Sequence, residues 1–293
     1  MDEKIAVVTG ATSGIGRATA LELARRGYRI AIVCRNEAKG KATVAEIERS
    51  TPGAGAEIFL ADLSVLADVR AVAARLGERL DRLDVLVNNA GVHDGRSGVS
   101  ADGFDRMIAT NHLGPFLLTN LLTGLLTASA PARVVVVSSE AHRWAGRFDP
   151  ETLAEPGSYG KPGSFRVYGR SKLLNILFAQ ELAARLAGTG VTANALCPGA
   201  VVTGLSTGIA HGLPARERLG ALLQRTPLLR TPAQGARMVV RLATEPGFEG
   251  RTGGFVASTR AGARLPVVAA RRDTTFQRAV WDRSADLVSL PAR

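Results

Sequence analysis

Short apolar runs rich in valine and isoleucine alternate along this chain with longer segments of helical periodicity. The runs are KIAVVTG, RIAIVCR, AEIFLAD, DVLVNNAG, RVVVVSS and VTANALCPG, and a seventh is expected near GGFVAS. Continuous apolar runs that are separated by helices are typical of parallel strands covered on both faces. Because right-handed β-α-β connections join such strands, the pattern predicts an α/β fold with a doubly wound parallel sheet of about seven strands.

The segments between these runs predict helices on both faces of the sheet. The helix-like segments are Gly16 to Arg26, Ala38 to Arg49, Val65 to Arg79, Ser100 to Leu126, Tyr168 to Leu186 and Ala233 to Ala243. A Pro/Gly-rich stretch from Pro150 to Gly163 predicts an insertion, at about residues 140–167, and not a domain boundary. A second loose region, at about residues 205–230, is expected to cover a substrate. Because the sequence has neither internal repeats nor low-complexity linkers, residues 1–293 are expected to form one domain.

The charge of the chain bears on the kind of partner that it can bind. The formal net charge is +11, but the basic residues are spread through the sequence and are not interleaved with aromatic residues. The sequence contains neither a helix-turn-helix pattern nor a zinc module. The charge therefore favours anionic small molecules, and no nucleic-acid partner is predicted.

Localisation and metal content follow from two further absences in the sequence. No stretch of about 18 apolar residues could span a membrane, and the first residues lack the pattern of a signal peptide. We therefore expect a cytoplasmic protein without stable membrane insertion. Cys34 and Cys197 do not have the spacing of metal ligands, so they are interpreted as buried thiols and no metal is predicted.

A glycine-rich stretch, VVTGATSGIGRATALELARRG, follows the first predicted strand and opens the first helix. Gly10, Gly14 and Gly16 allow the backbone to turn tightly and to approach a pyrophosphate. The start of the helix supplies N–H donors and positive potential for the same group. Since a strand precedes these glycines and a helix follows them, they predict a dinucleotide-binding turn; the alternative is a purely structural turn.

The end of the second strand bears on which dinucleotide is bound. An acidic residue there would hydrogen-bond the adenosine ribose of NAD, but AIVCRNEAKG has Arg35 at this point. A guanidinium suits the extra 2′-phosphate of NADP, Asn36 can assist it, and Arg17 can add positive charge. Glu37 is the acidic counter-candidate, two residues further on. The sequence favours NADP(H), with NAD(H) as the alternative.

Tyr168 and Lys172 are separated by one helical turn and therefore project from one face of a helix. A free phenol is almost fully protonated at neutral pH, and a nearby ammonium group lowers its pKa. The pair can thus give a proton to an oxygen or take one from it. Alone, the pattern is frequent by chance, and an ordinary surface pair on an amphipathic helix is the favoured interpretation.

Polar residues at the ends of several predicted strands change that interpretation. They are Asn88 to Gly91, Ser138 and Ser139, and Pro198, Gly199 and Thr203, together with Asn111 in a predicted helix. Open parallel sheets bind ligands outside the carboxyl ends of their strands, where most of these residues are expected. Capping or turn formation could explain each one singly, but not their coincidence.

These motifs resemble those of the short-chain dehydrogenase/reductase family. TGATSGIG, NNAG, YGRSK and PG occur in the family's order, with Asn111 and Ser139 between them. The segments SSEAH, FDPETL, SKLLNILFAQELAARL and AVWDRSADLVSL resemble the retinol dehydrogenase-like branch. The resemblance implies a single NADP-binding Rossmann domain over residues 1–293. It also implies an oxidoreductase that transfers hydride between NADP(H) and a carbonyl or alcohol.

The resemblance also implies a role for each matching position. Tyr168 is implied as the general acid/base, with Lys172 lowering its pKa and binding the nicotinamide ribose. Ser139 would hold the substrate oxygen, with Ser138 as the fallback, and Asn111 would support a water relay toward the lysine. The resemblance places Asp62 at the adenine, Asn88 at the adenosine ribose and Thr203 at the carboxamide. The full set of implied cofactor contacts is Gly10, Thr12, Ser13, Gly14, Ile15, Gly16, Arg35, Asn36, Asp62, Leu63, Asn88, Ala90, Gly91, Tyr168, Lys172, Pro198, Gly199, Val201 and Thr203.

Two other functions are weighed against an NADP-dependent dehydrogenase or reductase. A protein that senses NADP(H) without turnover would not need the serine, tyrosine, lysine and asparagine set. A nucleotide-sugar epimerase or dehydratase is disfavoured by the spacing of Gly10 and Gly14 and by the short C-terminal region. The expected substrate is an apolar carbonyl or alcohol, and Trp144 and Phe148 either line its entrance or anchor a loop. A homodimer or homotetramer is expected from the resemblance.

Overall fold

The seven apolar runs form one sheet. The computed structural model describes residues 3–201 and 230–291, apart from the side chains of residues 260 and 261. The strands are β1 (Lys4–Thr9), β2 (Tyr28–Cys34), β3 (Ala56–Leu60), β4 (Val85–Asn88), β5 (Ala132–Val137), β6 (Val191–Cys197) and β7 (Phe255–Ala257). All neighbouring strands are parallel, in the order β3-β2-β1-β4-β5-β6-β7. The predicted doubly wound parallel sheet is confirmed.

Helices connect these strands. They are α1 (Gly14–Arg25), α2 (Glu37–Ser50), α3 (Leu66–Arg79), α4 (Arg106–Ile108), α5 (Gly114–Leu121), α6 (Thr123–Ala128), α7 (Lys161–Arg185), α8 (Pro232–Thr244), α9 (Arg260–Ala263) and α10 (Thr274–Leu287). A π-helical segment, Ala109–Leu113, lies between α4 and α5. Short 3-10 segments are Glu140–Trp144, Pro150–Thr152, Pro246–Phe248 and Ala269–Arg271. No helix of the described residues is long and apolar enough to cross a membrane.

The two faces of the sheet bury separate hydrophobic cores. In β1, Ile5 and Val7 face one core, and Ala6 and Val8 face the other, as the two-residue period of a strand requires. The first core is completed by α3, α5, α7 and α10. The second is completed by α1, α2 and α8. Helices therefore cover both faces, as the continuous apolar runs predict.

Two predicted helix starts are wrong, and both errors have local causes. Helix α7 begins at Lys161 and not at Tyr168, because Pro162 lies in its first turn, where no N–H donor is needed. The last part of the expected insertion is therefore helix. The helix expected from Ser100 begins only at Arg106, since the Asp105 carboxylate caps it by accepting from the N–H of Met107 and Ile108.

The strand order creates a cleft at the carboxyl ends of the central strands. After β1 the chain continues to β2 and β3 on one side, and β4 then pairs with β1 on the other side. The connections leave the carboxyl ends of β1 and β4 in opposite directions. Open α/β sheets bind ligands at such a switch point, so a ligand is expected at the turns that follow β1 and β4.

Candidate active site

The turn between β1 and α1 lies at the switch point. Gly10 and Gly14 have φ angles of +66° and +55°, in the left-handed region that favours glycine. A Cβ atom on Gly16 would collide with the Gly10 carbonyl oxygen, so only glycine lets the helix start this close to the strand. Within the described structure, Ser13 precedes α1 without a side-chain cap to it. The first N–H groups of α1 are therefore suited to an anionic ligand.

The other residues of this turn have different surroundings. Thr12 and Ile15 are half-buried, and Ile15 lies beside α8, where a Cβ on Gly235 would come within 3.2 Å of its Cγ1 atom. Arg17 donates from Nε to Glu46 Oε2 at 2.6 Å. The charge of Arg17 is therefore partly balanced by Glu46, and the expectation that it adds positive charge beside the phosphates stays a prediction.

Asn89 ties the glycine turn to the end of β4. Its Nδ2 atom donates to the Thr9 carbonyl at 2.9 Å and to the Gly10 carbonyl at 3.4 Å. In return, Thr9 Oγ1 accepts from the backbone N–H groups of Asn89 and Ala90, each at 3.0 Å. The sequence analysis did not assign Asn89 to the site, although the second asparagine of NNAG was a visible signal. Its contacts hold the two strand ends in a fixed relation.

Asn88 and Gly91, two other residues of the NNAG motif, lie in different surroundings. Asn88 is 2% exposed, and its Nδ2 atom donates to Thr119 Oγ1 at 2.8 Å. Because its side chain is enclosed in this way, the expected contact of Asn88 with the adenosine ribose would have to come from its backbone, and it stays a prediction. Gly91 lies at the site itself, because a Cβ there would come within 3.3 Å of both Lys172 Nζ and Asn111 Oδ1.

Arg35 and Asp62 lie together at the ends of β2 and β3. Arg35 is 68% exposed on its side chain and lies 3.7 Å from Asp62 Oδ2. Burial raises the pKa of Asp62, but hydrogen bonds from Ser64 and the charge of Arg35 outweigh it and leave that pKa below its usual value. Asn36 has another task, since its Oδ1 atom caps α2 by accepting from the N–H of Lys39 at 2.9 Å.

The remaining candidates at this end of the cleft offer little to a ligand. Leu63 is buried in the core, so only its backbone could contact a cofactor. Glu37, the acidic counter-candidate to Arg35, is exposed and pairs with Lys41 at 2.7 Å. That lysine lowers the pKa of Glu37 through a hydrogen bond and its charge. Arg35 and Glu37 are thus both exposed members of ion pairs, and the choice between NADP(H) and NAD(H) stays a prediction.

Tyr168, Lys172 and Ser139 lie together beside the end of β5. Lys172 is 3% exposed, and its Nζ atom donates to the Val137 carbonyl at 3.1 Å. The same nitrogen lies 5.6 Å from the centre of the Tyr168 ring. The Ser139 hydroxyl lies close enough to the Tyr168 phenol to lower its pKa. Two hydroxyl groups and an ammonium group therefore meet at the carboxyl edge of the sheet.

The adjacent serines are distinguished by their burial. Ser138 is 2% exposed, and its hydroxyl donates to the Lys172 carbonyl at 2.7 Å, so it fastens α7 to β5. Ser139 is half-buried, and its Oγ atom accepts from the N–H of Ala141 at 3.1 Å. Of the two, Ser139 has the hydroxyl that faces Tyr168, so the fallback to Ser138 is not needed.

Asn111 lies in the π-helical segment and is fully buried. Its Oδ1 atom accepts from the Val92 N–H at 2.7 Å, and its Nδ2 atom donates to the Val92 carbonyl at 2.9 Å and to Ser171 Oγ at 3.0 Å. The amide thereby fixes the loop after β4 against α7. Single π turns inside helices occur frequently at functional sites, and this one lies within reach of Lys172 through Gly91.

Burial controls the ionisation of the tyrosine and the lysine. It raises the pKa of Tyr168 above that of a free phenol, and the hydrogen bond with Ser139 opposes this only in part. It lowers the pKa of Lys172 to about 8. Burial is thus the largest influence on the pKa of Tyr168, and the expected lowering of that pKa by the Lys172 ammonium group stays a prediction. At neutral pH the phenol holds its proton and the amine is mostly charged.

The loop after β6 is held by an arginine that the sequence analysis did not single out. Gly199 has a φ angle of +86°, and Val201 forms an isolated parallel bridge with Arg230. Arg230 also donates to the Pro198 carbonyl at 3.3 Å and to the Ser258 carbonyl at 2.8 Å. It thus joins the loops after β6 and β7. Thr203 and most of the expected covering region, residues 205–229, lie outside the described residues.

Other residues that could be taken for site residues make contacts within the fold. Tyr159 donates from its phenol to Asp105 at 2.8 Å, in agreement with its rejection as a catalyst. Phe148 packs edge-on against Phe276 of α10 and so anchors its loop, whereas Trp144 is 61% exposed. In the described part of the chain, no group of three or more His, Cys, Asp or Glu residues could hold a metal ion.

A doubly wound sheet with a glycine turn at its switch point defines the class of Rossmann-fold nucleotide-binding proteins. Within this class, the chain belongs to the short-chain dehydrogenase/reductase family of oxidoreductases. Residues 4–148 match the family described as short chain dehydrogenase. Retinol dehydrogenase 14 of Mus musculus is 41% identical over 300 residues, which cover 99% of this chain and 87% of that protein. The resemblance to retinol dehydrogenases is therefore confirmed.

Solved structures share the fold over nearly the whole chain. An uncharacterised protein from Mycobacterium paratuberculosis has a TM-score of 0.74 at 33% identity and covers 99% of this chain and 96% of its own. Actinorhodin polyketide ketoreductase, solved with NADPH, has a TM-score of 0.71 at 28% identity and covers 90% of this chain and 98% of its own. Both similarities agree with the observed sheet.

Proposed function

We propose that the protein is an NADP(H)-dependent alcohol dehydrogenase or carbonyl reductase in which Tyr168 is the general acid/base. The observation that carries the proposal is the meeting of the Tyr168 phenol with the Ser139 hydroxyl, beside the buried Lys172 ammonium group. These groups lie at the carboxyl ends of parallel strands, where the fold binds its ligands. An oxygen held between the two hydroxyls could exchange a proton with the phenol.

The described residues fit a dinucleotide along this edge. The glycine turn packs closely against the end of β4, since a Cβ on Gly10 would lie 2.9 Å from Ala90 Cα, and the N–H groups at the start of α1 would bind a pyrophosphate. The exposed Arg35 would meet a 2′-phosphate, which favours NADP(H) over NAD(H). Asp62 would lie beside the adenine. Gly91, next to Lys172, would leave space for the nicotinamide ribose.

Each residue of the site has a separate task in the proposed reaction. The bound cofactor supplies or accepts the hydride. In the reducing direction Tyr168 donates its proton to the substrate oxygen, and Ser139 hydrogen-bonds the same oxygen. Because burial raises the pKa of Tyr168, the phenol is protonated at neutral pH, as a general acid must be. Lys172 provides positive charge next to the phenol, and Asn111 holds the loop that carries Gly91.

The proposed substrate is an apolar alcohol or carbonyl compound. Retinol dehydrogenase 14 and a polyketide ketoreductase are similar to this chain, and both names denote chemistry at an alcohol or carbonyl. The exposed Trp144 beside Phe165 agrees with an apolar substrate. Cytoplasmic localisation and a homodimer or homotetramer stay predictions from the sequence.

A spectrophotometric assay tests the proposal. The wild-type protein is mixed with NADPH and a panel of carbonyl compounds, or with NADP⁺ and alcohols, and each assay is repeated with NADH or NAD⁺. We expect turnover with the phosphorylated cofactor on apolar members of the panel. Tyr168→Phe should lower kcat by about 10²–10⁴-fold, the usual contribution of positioned proton transfer, while NADPH binding persists.

The outcomes separate the competing functions. Tight NADPH binding without turnover on any substrate would support a sensor of NADP(H). Near-wild-type kcat in Tyr168→Phe would remove this residue from the acid/base role. A preference for NADH would contradict the role given to Arg35 and leave the oxidoreductase assignment in place.

A further inference from the structure

His93 lies directly against the proposed acid/base. It follows Gly91 and Val92 in the loop after β4, and its ring centre is 4.8 Å from that of Tyr168 at an interplanar angle of 32°. It also meets Phe165 in an edge geometry, at 4.7 Å and 67°. The imidazole thus packs against both the Tyr168 ring and Phe165. The sequence analysis gave this histidine no role.

A contact with Ser164 orients the His93 ring. His93 Nε2 lies 3.1 Å from Ser164 Oγ, and that hydroxyl lies 2.7 Å from the Lys161 carbonyl, to which it can donate. A serine hydroxyl has one hydrogen, so when it is given to Lys161 the Ser164 Oγ atom accepts from His93 Nε2–H. Burial lowers the pKa of His93, and the Asp94 carboxylate opposes this in part. The neutral ring with its proton on Nε2 satisfies all these contacts.

These contacts connect two parts of the site. Ser164 and Tyr168 are one turn apart on α7, so His93 spans both of them from the opposite loop. The preceding residue, Val92, pairs through its backbone with the Asn111 amide. The loop after β4 is therefore fixed to Asn111 at one residue and to the face of α7 at the next.

We propose that His93 is a positioning residue for Tyr168, and that its hydrogen bond with Ser164 holds the imidazole ring against the phenol. The inference rests on the proposed function, because positioning has meaning only if Tyr168 transfers the proton. The Tyr168 ring otherwise has freedom about two side-chain torsions. A ring that packs against the phenol and is anchored to the same helix restricts this freedom and keeps the hydroxyl directed toward Ser139.

Matched variants separate the ring of His93 from its hydrogen bond. His93→Phe keeps an aromatic ring and removes the donor, His93→Gln keeps an N–H donor and removes the ring, and His93→Leu removes both. Ser164→Ala removes the acceptor and leaves the ring. We expect His93→Leu to lower kcat by at least about tenfold, since small misplacements of a reacting group are costly. Its KM for NADPH and its melting temperature should stay close to the wild-type values.

The pair His93 and Ser164 allows a double-mutant cycle. Ser164→Ala should lower kcat in the wild-type background and have no further effect in His93→Phe, where the donor is already missing. His93→Phe should retain more activity than His93→Gln if stacking is the larger contribution. Equal effects of Ser164→Ala in both backgrounds, or full kcat in a folded His93→Leu protein, would overturn the proposal.

A second measurement does not depend on turnover. The chain has three tyrosines, so ring-¹³C-labelled tyrosine gives few NMR signals, and Tyr168→Phe identifies that of Tyr168. We expect His93→Leu to shift and broaden the Tyr168 signal while those of Tyr28 and Tyr159 stay unchanged. If the wild-type protein turned over no substrate, the proposed function would fail. An unchanged Tyr168 signal would separately refute the positioning by His93.

Discussion

Lys172 is an ammonium group enclosed by protein. Burial lowers its pKa from 10.5 to about 8, which corresponds to a cost of roughly 2–4 kcal/mol for keeping the charge inside the fold. The folded-state pKa is the lower one, so the cost is fully present below about pH 8, where both states are protonated. It is lost as the pH rises toward 10.5, where both states are neutral.

This cost predicts that Lys172→Met stabilises the cofactor-free protein at pH 7. Methionine has a similar length and carries no charge, so the melting temperature should rise even though catalytic activity is lost. The advantage should shrink as the pH is raised from about 8 to about 10. Lys41→Met, an exposed lysine on α2, should leave the stability within about 0.5 kcal/mol. A less stable Lys172→Met protein at pH 7 would contradict the assigned cost of burial.

The sequence could identify the residues of the site but not which neighbour faces the cleft. Successive residues of a strand point to opposite sides, so NNAG and the pair Ser138 and Ser139 each had to contain one inward and one outward side chain. The packed sheet distinguishes them by burial, since Asn88 and Ser138 are buried whereas Asn89 and Ser139 lie at the turns. For the serines this agrees with the choice that the family resemblance implied, and for the asparagines the sequence had named the buried one. His93 carried no sequence signal at all, because its partners come from a distant helix.

At the scale of elements, the strands were predictable and several helix limits were not. Each strand is a run of apolar residues whose side chains enter the two cores, so its position follows from the pattern of apolar residues along the sequence. Helix α7 starts among Lys161, Pro162 and Gly163, residues that resemble a loop when they are considered one by one. Helix α10 was not predicted as a helix, because it is held by tertiary contacts such as that of Trp281 with Phe116.

The junction of β1 and α1 provides a prediction at this scale. A Cβ on Gly16 would meet the Gly10 carbonyl and Asn89 Nδ2, so Gly16→Ala must move α1 away from β1 and disturb the turn. We expect NADPH affinity to fall by at least about tenfold and the melting temperature to drop, as overpacking at a tight contact costs roughly 1–3 kcal/mol.

Gly77 is a matched control for this change. It also lies within a helix, α3, but a Cβ there would meet no atom within 4 Å. Alanine is the better helix former by about 1 kcal/mol, so Gly77→Ala should bind NADPH normally and melt slightly higher. Equal effects of the two substitutions in calorimetry would show that the close approach at Gly16 is not what the turn requires.

At the scale of the whole molecule, the proposed cofactor would bridge the two halves of the sheet. Its adenine end would lie at β2 and β3, and its nicotinamide end at β4, β5 and α7. A ligand that binds only the folded state stabilises it according to its concentration and dissociation constant. The melting temperature therefore reports affinity even when no substrate is known.

The last prediction uses this linkage to test the choice of cofactor. At one fixed concentration, NADPH should raise the melting temperature more than NADH, because the Arg35 guanidinium would bind the 2′-phosphate. Arg35→Ala should reduce this difference, since each tenfold loss of affinity removes about 1.4 kcal/mol of stabilisation. NADH should stabilise the variant and the wild-type protein equally.

Arg25→Ala is the control for the change in charge. Arg25 is an exposed arginine in a weak ion pair, as Arg35 is, but it lies in the last turn of α1, away from the cleft. Loss of general attraction to a chain of net charge +11 would weaken NADPH equally in both variants. A specific contact would weaken it only in Arg35→Ala. The comparison therefore decides whether the preference for NADPH arises from one guanidinium or from the field of the whole protein.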